Sequence, residues 1–542
     1  MDGPPDTEAQ RRGGFRLGRL DPWLVATGVA AAAILVGATL VRLHDLNQYG
    51  LNSDEAVYAG QAAGLAGFKA YSQLFGIFRA HPLLIQLIVS VVYRFTGVTG
   101  SGAREVCVAF GVLLVLMTGM LAWTIWGRIA ALAAMLFVAF SPYPVSVARE
   151  MLLDGPEAFF VATSLFLLCL YIKRSRPVYL WAAALAAGLA FLSKETAILL
   201  IPPVFLFLIL APYVLRRYRD LLIAGAIYLV LIIIYPLAEL SAGKASTGVD
   251  YLVWQILRPA NHSLLFYAGI FQTMGWGIVA LAGVGTLATL WKRTSPEILL
   301  LLTSLVIVGL LEIWPTKGYE YLIPATAPIM ALAAFGARTC GALALAGVTR
   351  IWRSEGAGRA VGIGVTVLVA LGAVSAFLPV FNRAPTAATG LAALVGTDSG
   401  QPTPVKVKAL AGSGGLEAGR PTALWVRNHV LPGSVFLTIG PTFANVLQFY
   451  SLDRALALSV SPNPLHRNPA YAPVTNADLL LRSGAVQYLV YDAYSADRSS
   501  HFAERLLALA KKFNGVLVYQ YDKPGTPPGR HDAEVLIYEV QP

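Results

Sequence analysis

The sequence predicts a polytopic α-helical membrane protein with about eleven transmembrane helices, followed by a small α/β domain outside the membrane. Of the 542 residues, 56% are hydrophobic and only 13% are charged. Apolar runs long enough to cross a bilayer core of about 30 Å follow one another along the chain. After Phe381 this pattern ends and short mixed helix and strand patterns begin. These observations exclude an ordinary soluble enzyme.

The transmembrane part is predicted to occupy residues 23–382, after a basic cytoplasmic N-terminus at residues 1–22. An apolar stretch at His81–Gly97 is assigned to a helix at the membrane surface, inside a first outer loop at residues 43–105. The eleven predicted spans are Trp23–Val41, Val106–Trp126, Ile129–Val147, Pro156–Ile172, Val178–Leu192, Thr196–Leu215, Leu221–Leu237, Leu264–Leu290, Ile298–Trp314, Tyr321–Val348 and Val361–Phe381.

The distribution of Lys and Arg sets the predicted orientation. If His81–Gly97 does not cross the bilayer, basic clusters such as Lys173–Arg176 and Lys292–Arg293 all fall on the cytoplasmic side, as the positive-inside rule requires. The net charge of +11 therefore reflects topology rather than nucleic-acid binding. We expect a protein of the cytoplasmic membrane with its N-terminus inside and its C-terminal domain outside.

The C-terminal region is predicted to consist of a linker rich in Gly, Pro, Ala and Ser at residues 383–420 and an α/β domain at residues 421–542. It contains no glycine-rich phosphate loop or nucleophile elbow, which favours a structural or substrate-guiding role. Helices are predicted at Pro421–Val430, Phe443–Tyr450, Ala477–Ser483 and Phe502–Phe513, and strands at Ser434–Ile439, Ala455–Val460, Val486–Asp492, Val516–Tyr521 and Glu534–Glu539.

Chemistry is expected on the outer side, where acids, bases and aromatics recur in four separate loops. The most prominent group is the acidic pair Asp54 and Glu55, directly after the first span. A carboxylate can accept the proton of a hydroxyl that attacks a sugar carbon. Lys and Arg can hold a phosphate leaving group. The arrangement therefore suits glycosyl transfer from a lipid phosphate, with apolar groove walls for a polyprenyl tail.

Five segments carry a resemblance to a known family. Asp54-Glu55-Ala56-Val57-Tyr58 resembles a first-loop Asp-Glu-Ala-x-Tyr motif, and His81-Pro82-Leu83-Leu84 resembles His-Pro-Pro-Leu without its second proline. The others are Ala148–Pro156, Phe191–Glu195 and Lys317–Pro324. In this order they resemble the GT-C glycosyltransferases that use polyprenyl-phosphate sugars, the protein O-mannosyltransferase and aminoarabinose transferase group. The fold is thus expected to be GT-C-like.

The resemblance implies a role for each matching residue. Asp54 is the expected general base, Glu55 orients the acceptor or tunes that base, and Asp154 is a second carboxylate of the site. The expected phosphate and substrate ligands are Tyr58, Lys69, Arg149, Lys194, Lys317, Tyr319 and Tyr321. Lys69 rests on no motif, and Glu195 stands where the family has glycine. The sequence predicts no definite cofactor; some related GT-C enzymes use a divalent cation held by such carboxylates, which Asp54 and Asp154 could bind here.

Simpler interpretations stay open for these residues. The acidic pair and Asp154 could be helix caps, Asp154 in particular because Pro156 follows it. Lys317, Tyr319 and Tyr321 could be interfacial anchors. A transporter or lipid flippase is the main alternative function, and an inactive scaffold is a third. The sequence predicts neither the donor sugar nor whether the acceptor is a protein, lipid or polysaccharide.

Overall fold

The protein is mostly helical in the computed structural model, which describes residues 21–215, 217–244, 247–352, 355–375, 414–523, 526 and 532–541. The first seventeen α-helices are α1 Pro22–Leu43, α2 Ser53–Leu65, α3 Lys69–Leu74, α4 Leu84–Thr96, α5 Gly100–Trp126, α6 Arg128–Phe140, α7 Pro142–Ala148, α8 Asp154–Arg174, α9 Pro177–Ser193, α10 Ile201–Leu210, α11 Tyr218–Ser241, α12 Thr247–Leu257, α13 Phe266–Met274, α14 Trp276–Lys292, α15 Ser295–Ile313, α16 Thr326–Trp352 and α17 Glu355–Val374. Short 3-10 helices at Glu195–Leu200 and Tyr319–Ala325 precede α10 and α16.

Over its described residues, each of the eleven predicted spans coincides with a helix or with consecutive helices. Among the described residues, seven helices are long and apolar enough to cross a membrane, or nine if the bent pairs α6/α7 and α13/α14 each form one span. The other two predicted spans correspond to the shorter apolar helices α9 and α10. The chain is therefore a multi-pass membrane protein. Its orientation remains a prediction, and residues 1–20, 376–382 and most of the linker, 383–413, lie outside the described part.

Helix α4 is short for a membrane span. Its 13 residues extend only about 20 Å at 1.5 Å per residue, against a bilayer core of about 30 Å. One face of α4 is buried, including Ile85 and Tyr93, while Phe95 on the other face is 86% exposed. This geometry supports the predicted position at the membrane surface.

Close contact between helices is possible where glycines face each other. A side chain at Gly285 of α14 would overlap the backbone carbonyl of Leu332, and one at Gly336 of α16 would overlap that of Leu281. Small residues at such crossings allow two helix backbones to approach in a membrane. The backbones of α14 and α16 thus lie in close contact at this crossing.

Two buried arginines stabilise the helix ends next to the first outer loop. Arg42 of α1 donates from Nη1 to the carbonyl of Ala139 and from Nη2 to that of Val138, each at 2.9 Å. Here α6 ends and the chain bends by 61° into α7. Arg149 in turn donates to the carbonyl of Val41 at 2.9 Å, at the end of α1. The last carbonyls of a helix lack partners within it, so each arginine supplies the missing donors.

The C-terminal region forms a five-stranded mixed sheet with the order β2-β1-β3-β5-β4. Strands β1, β2 and β3 are parallel, and β5 is antiparallel to both β3 and β4. All nine predicted elements are confirmed within a few residues. The elements are α18 Gly419–His429, β1 Val435–Thr438, α19 Pro441–Ser451, β2 Arg454–Ala457, α20 Ala477–Arg482, β3 Tyr488–Asp492, α21 Ala493–Arg498, α22 Ser500–Lys512, β4 Val516–Asp522 and β5 Ala533–Glu539.

The sheet buries its two faces in different places. Leu437 and Leu489 point into a core made by the C-terminal region alone. Their neighbours Phe436 and Val490 belong to a second core, which also contains Phe75 and other residues of the first outer loop. Because neighbouring strand residues point to opposite faces, one sheet serves both cores. The C-terminal region is thereby fixed against the first loop.

Candidate active site

An open cavity lies between the first outer loop, the neighbouring ends of the spans and the C-terminal region. It is lined mainly by polar, charged and aromatic side chains, as expected for a site that binds a polar group. These include Asp54, Tyr58, Gln61, Arg79, His81, Asp154, Lys194, Tyr251, Glu320, Tyr321, Asn468 and Tyr471. Five of the predicted site residues are therefore brought together: Asp54, Tyr58, Asp154, Lys194 and Tyr321.

Asp54 is presented to this cavity by the first turn of α2. The side chain of Asn52 accepts a hydrogen bond from the Glu55 amide at 2.9 Å, and Glu55 Oε2 accepts one from the Asn52 amide at 2.8 Å. This reciprocal capping box fixes the start of the helix. Adjacent helical residues point about 100° apart, so Glu55 is buried while Asp54 is exposed to the cavity.

The surrounding protein changes the acidity of Asp54. Removal of water from the carboxylate raises the pKa of Asp54 above its ordinary value. The positive charges of His81 and Lys194 oppose this rise, whereas the negative charge of Asp154 adds to it. A carboxylate with a raised pKa is a better proton acceptor than an ordinary surface aspartate.

Glu55 does not line the cavity. Its oxygens accept bonds of 2.6 Å from Nε and Nη2 of Arg104, and Oε1 also accepts one from the Met151 amide at 2.7 Å. The exposed fractions of the Arg104 and Glu55 side chains are 3% and 0%. Arg104 further donates to the carbonyls of Leu46, Tyr49 and Gly50. The pair ties the first loop to α5 and to the segment before α8.

Breaking this buried pair is expected to destabilise the protein. Arg104→Gln leaves the Glu55 carboxylate buried without its cation, and loss of one partner of a buried pair costs about 3–5 kcal/mol. We expect a clearly lower melting temperature in detergent. Arg128→Gln is the matched control, since its ion pair with Asp21 is exposed and should contribute less than about 1 kcal/mol. Equal melting temperatures for the two variants would contradict this account of Glu55.

A second charged pair faces the cavity from the ends of α8 and α9. Lys194 Nζ donates to Asp154 Oδ1 at 2.6 Å, and both side chains are buried. The same ammonium lies 4.5 Å from the centre of the Tyr321 ring, in a cation–π contact. Lys194 follows the last residue of α9 and Asp154 begins α8. The two helix ends therefore place a positive and a negative group against an aromatic ring.

Glu195, which departs from the family pattern, has a partner of its own. His81 Nδ1 lies 2.8 Å from Glu195 Oε2 and 2.9 Å from Oε1, and its Nε2 lies 3.4 Å from the Tyr251 hydroxyl. The His81 ring also makes an edge contact with Tyr58, with 5.8 Å between ring centres. Glu195 is thus paired with His81, while Lys194 is paired with Asp154.

Four predicted ligands lie elsewhere. Lys69 is exposed at the start of α3, and Arg149 binds the end of α1. Lys317 donates from Nζ to the Trp314 carbonyl at 3.1 Å. Tyr319 donates from its hydroxyl to Glu150 at 2.6 Å. None of the four lines the cavity, so their predicted contact with substrate finds no support in this geometry.

Other cavity residues were not among the predicted site residues. Arg79, His81 and Glu320 lie within or next to the motifs, and their position beside motif residues was the available signal. Tyr251 comes from α12, and Asn468 and Tyr471 come from the segment between β2 and α20. No sequence motif marks these three residues. Only the tertiary structure brings them to the site.

Glu150, beside the cavity residues, carries a strongly perturbed carboxyl group. Its Oε2 accepts bonds from Asn52 Nδ2 at 2.8 Å and from Tyr319, and the side chain is buried. Burial raises the pKa of Glu150 from 4.5 to about 8, and the charge of Glu55 adds to the rise. The folded protein thus holds the Glu150 proton more tightly than the unfolded chain.

This difference predicts a pH-dependent stability. Between pH 4.5 and about 8, the unfolded chain releases the Glu150 proton more readily, so stability falls as pH rises through this window. Glu150→Gln keeps an oxygen for both donors and removes the titration. The melting temperature of this variant should fall less from pH 5 to pH 8 than that of the unmodified protein. Glu105→Gln, an exposed change on α5, should leave the fall unchanged, and an unchanged fall in Glu150→Gln would refute the assignment.

The described residues contain no group of three or more His, Cys, Asp or Glu side chains that could hold a metal ion. The predicted cation ligands, Asp54 and Asp154, do not suit a cation either, because the Lys194 ammonium lies 2.6 Å from Asp154 Oδ1. A divalent ion there would have to displace that charge. We therefore assign no step to a metal.

Solved structures with the same architecture identify the fold. ArnT from Cupriavidus metallidurans superimposes with a TM-score of 0.63 at 15% identity, over 95% of this chain and 97% of that one. The oligosaccharyltransferase AglB from Archaeoglobus fulgidus superimposes with a TM-score of 0.58 at 13% identity, over 94% and 74%. The chain has the GT-C fold. At these identities the likeness concerns the fold alone.

Sequence comparisons agree with this GT-C assignment. Residues 80–238 match the family model described as dolichyl-phosphate-mannose-protein mannosyltransferase. A chain from Aquifex aeolicus (strain VF5), described as an uncharacterized protein, is 33% identical over 132 residues. That match covers 24% of this chain and about a quarter (26%) of the relative. The resemblance inferred from the motifs is thus confirmed.

Proposed function

We propose that the protein is a glycosyltransferase that moves a sugar from a polyprenyl-phosphate donor to an acceptor on the outer face of the cytoplasmic membrane. One observation carries the proposal: a carboxylate with a raised pKa, Asp54, and the Lys194–Asp154 pair line the same cavity at the ends of apolar spans. ArnT has been solved with undecaprenyl phosphate and AglB with a dolichol-phosphate, which supports a donor of this class.

The first step assigned to the cavity is activation of the acceptor. Asp54 takes the proton of the acceptor hydroxyl as its oxygen bonds to the anomeric carbon of the sugar. At the same time the bond between that carbon and the phosphate oxygen breaks, and the phosphate keeps the electron pair. A phosphate monoester has a second pKa near 6, so it leaves without a general acid.

The phosphate is assigned to the Lys194 side of the cavity. Lys194 offers a buried ammonium whose position is fixed by Asp154 and the Tyr321 ring. Buried, preorganised charge stabilises a developing anion more strongly than a charge in water. Asp154 then orients Lys194 and balances its charge before the donor binds.

The remaining predicted residues receive supporting roles. Glu55 and Arg149 fix the first loop, whereas Tyr319 positions Glu150 through its hydroxyl. Tyr58 lies against His81 inside the cavity and can contact the sugar. Residues 23–382 would form the catalytic membrane domain and residues 421–542 the exported domain, with a protein, lipid or polysaccharide as acceptor.

A transfer assay with labelled donors tests the function. Membranes with and without the protein are incubated with radiolabelled polyprenyl-phosphate mannose, glucose or arabinose, and the label is separated into protein, lipid and polysaccharide fractions. We expect one donor to label one fraction only when the protein is present. Failure of every donor would contradict the proposal, and movement of polyprenyl phosphate across the membrane without transfer would instead indicate a flippase.

A further inference from the structure

A segment of the C-terminal region forms part of the cavity wall. Residues 461–476, between β2 and α20, contribute Asn468 and Tyr471 to the lining. No motif marks this segment, and the function proposed above assigns it no task. Polar contacts through Asn445 connect it to the helix of the proposed base.

The central contact is the side-chain amide of Asn445 in α19, which is 1% exposed. Its Nδ2 donates to the Tyr471 hydroxyl at 2.8 Å and to Ser53 Oγ at 3.0 Å. A side-chain amide nitrogen has two hydrogens, so both are used. Ser53 is the first residue of α2 and directly precedes Asp54. One buried amide thus joins the cavity wall to the helix that presents the base.

Tyr471 in turn supports a charged residue of the cavity. The Arg79 guanidinium lies 4.9 Å from the centre of the Tyr471 ring, which is a cation–π distance. Within the described part of the chain, no ion pair is formed by Arg79. Its N–H groups remain able to bind a polar group in the cavity. The contacts run from Ser53 through Asn445 and Tyr471 to Arg79. They thus lead from the first loop to the C-terminal region and back to the first loop.

We propose that Tyr471 and Arg79 form the acceptor-binding wall of the active site and that Asn445 is the positioning residue that sets this wall against Asp54. The inference rests on the proposed function. It assigns the exported domain the task of holding a polar, hydroxyl-bearing acceptor beside the base in place of water. The wall is bonded to the base helix through Ser53, whereas the proposed phosphate ligands come from the ends of α8 and α9.

The assignment predicts how variants divide the sugar between acceptor and water. When water enters, Asp54 takes a proton from water, the water oxygen bonds to the anomeric carbon, and the phosphate leaves as before. Asn445→Ala and Tyr471→Phe each remove the bond that fixes the wall, and Tyr471→Phe keeps the ring under Arg79. The ratio of transferred to hydrolysed label should fall roughly fivefold to tenfold, as for loss of one buried hydrogen bond.

The experiment uses the full-length protein in lipid nanodiscs with the labelled donor that is active in membranes, together with those membranes as acceptor. Asn463→Ala is the matched control, because Asn463 lies in the same segment but is exposed, and its side chain accepts a hydrogen bond from the nearby Leu465 amide. In this control, the ratio of transferred to hydrolysed label should stay unchanged. Hydrogen exchange of residues 468–476 and of the first turn of α2 should rise together in Asn445→Ala and not in the control.

Two results would overturn the inference, and they are distinguishable. If the unmodified protein transfers sugar and Asn445→Ala keeps both the ratio and the exchange pattern, the wall is not positioned by Asn445. If the unmodified protein consumes no donor at all, the proposed function fails and the acceptor wall fails with it. Stabilisation by undecaprenyl phosphate should be equal in all variants, and this measurement confirms that each variant is folded.

Discussion

Asp54→Asn is expected to abolish sugar transfer while the protein stays folded. The change removes the proton acceptor but keeps the size of the side chain, and the capping box made by Asn52 and Glu55 is untouched. General-base catalysis contributes about 10²- to 10⁴-fold in rate, so transfer should fall by at least the lower figure. The phosphate ligands are unchanged, and the melting temperature should still rise with undecaprenyl phosphate as in the unmodified protein.

Asp45→Asn is the matched control for this variant. Asp45 lies in the same outer loop and is exposed, and its carboxylate forms an ion pair with the neighbouring His44. It should transfer sugar at the unmodified rate. Substantial transfer by Asp54→Asn under the same conditions would remove Asp54 from the mechanism.

The acidity of Asp54 gives a second test of the same role. A base works only when deprotonated, so transfer should be present at higher pH and be lost as pH falls through the pKa of Asp54. Burial raises this pKa above the ordinary value, so the midpoint should lie above about 3.9, the value of a free aspartate. Initial rates measured between about pH 4 and pH 8 locate it. A rate that is flat across this range would contradict a base with a raised pKa.

Lys194→Gln is expected to remove donor binding as well as transfer. The variant lacks the ammonium assigned to the phosphate, so undecaprenyl phosphate should no longer raise the melting temperature. It also leaves Asp154 buried without its partner, which costs about 3–5 kcal/mol of stability. Adding Asp154→Asn removes the unpaired charge and should restore much of the stability but none of the donor binding.

Lys317→Gln separates phosphate binding from a general loss of positive charge. Lys317 is as buried as Lys194, but it donates to a backbone carbonyl and does not line the cavity. Its variant should therefore still be stabilised by undecaprenyl phosphate. Loss of binding in Lys317→Gln and retention in Lys194→Gln would reverse the assignment of the phosphate ligand.

The fold could be predicted well from the sequence because local patterns of apolar and polar residues determine its helices and strands. Long apolar segments must form helices in a bilayer, and the alternating patterns after the linker follow the two side-chain periods of strands and helices. Motifs at the loop ends then indicated the GT-C fold. The bends at α6/α7 and α13/α14 were not predicted, because hydropathy does not reveal where the chain turns within an apolar run.

The site was only partly predictable, since neighbouring residues can have different tasks. Asp54 and Glu55 are adjacent, yet one faces the cavity and the other is buried against Arg104. Which of them faces the cavity depends on the rotation of α2. Arg149 belongs to one of the motifs that predicted the site, but its guanidinium donates to a backbone carbonyl at the end of α1. A charged residue at a span boundary can bind either the end of a helix or a ligand, and both roles have the same sequence pattern.

The other site contacts that the sequence did not predict join residues that are far apart in the chain. Glu195 adds an unexpected charge beside Lys194, and its partner His81 lies 114 residues earlier in the chain. Asn445 joins Ser53 across 392 residues. Such contacts have no local signature, because they depend on how distant segments of the chain pack against one another.

The configuration of the anomeric carbon tests most directly whether Asp54 acts as a base towards the acceptor. Direct attack by an acceptor hydroxyl inverts this carbon, whereas attack by Asp54 itself would form a covalent sugar–enzyme intermediate and end in retention. The measurement is the anomeric configuration of the product, by proton NMR, from a donor of known configuration. We predict inversion, and retention would contradict a single displacement with Asp54 as the base.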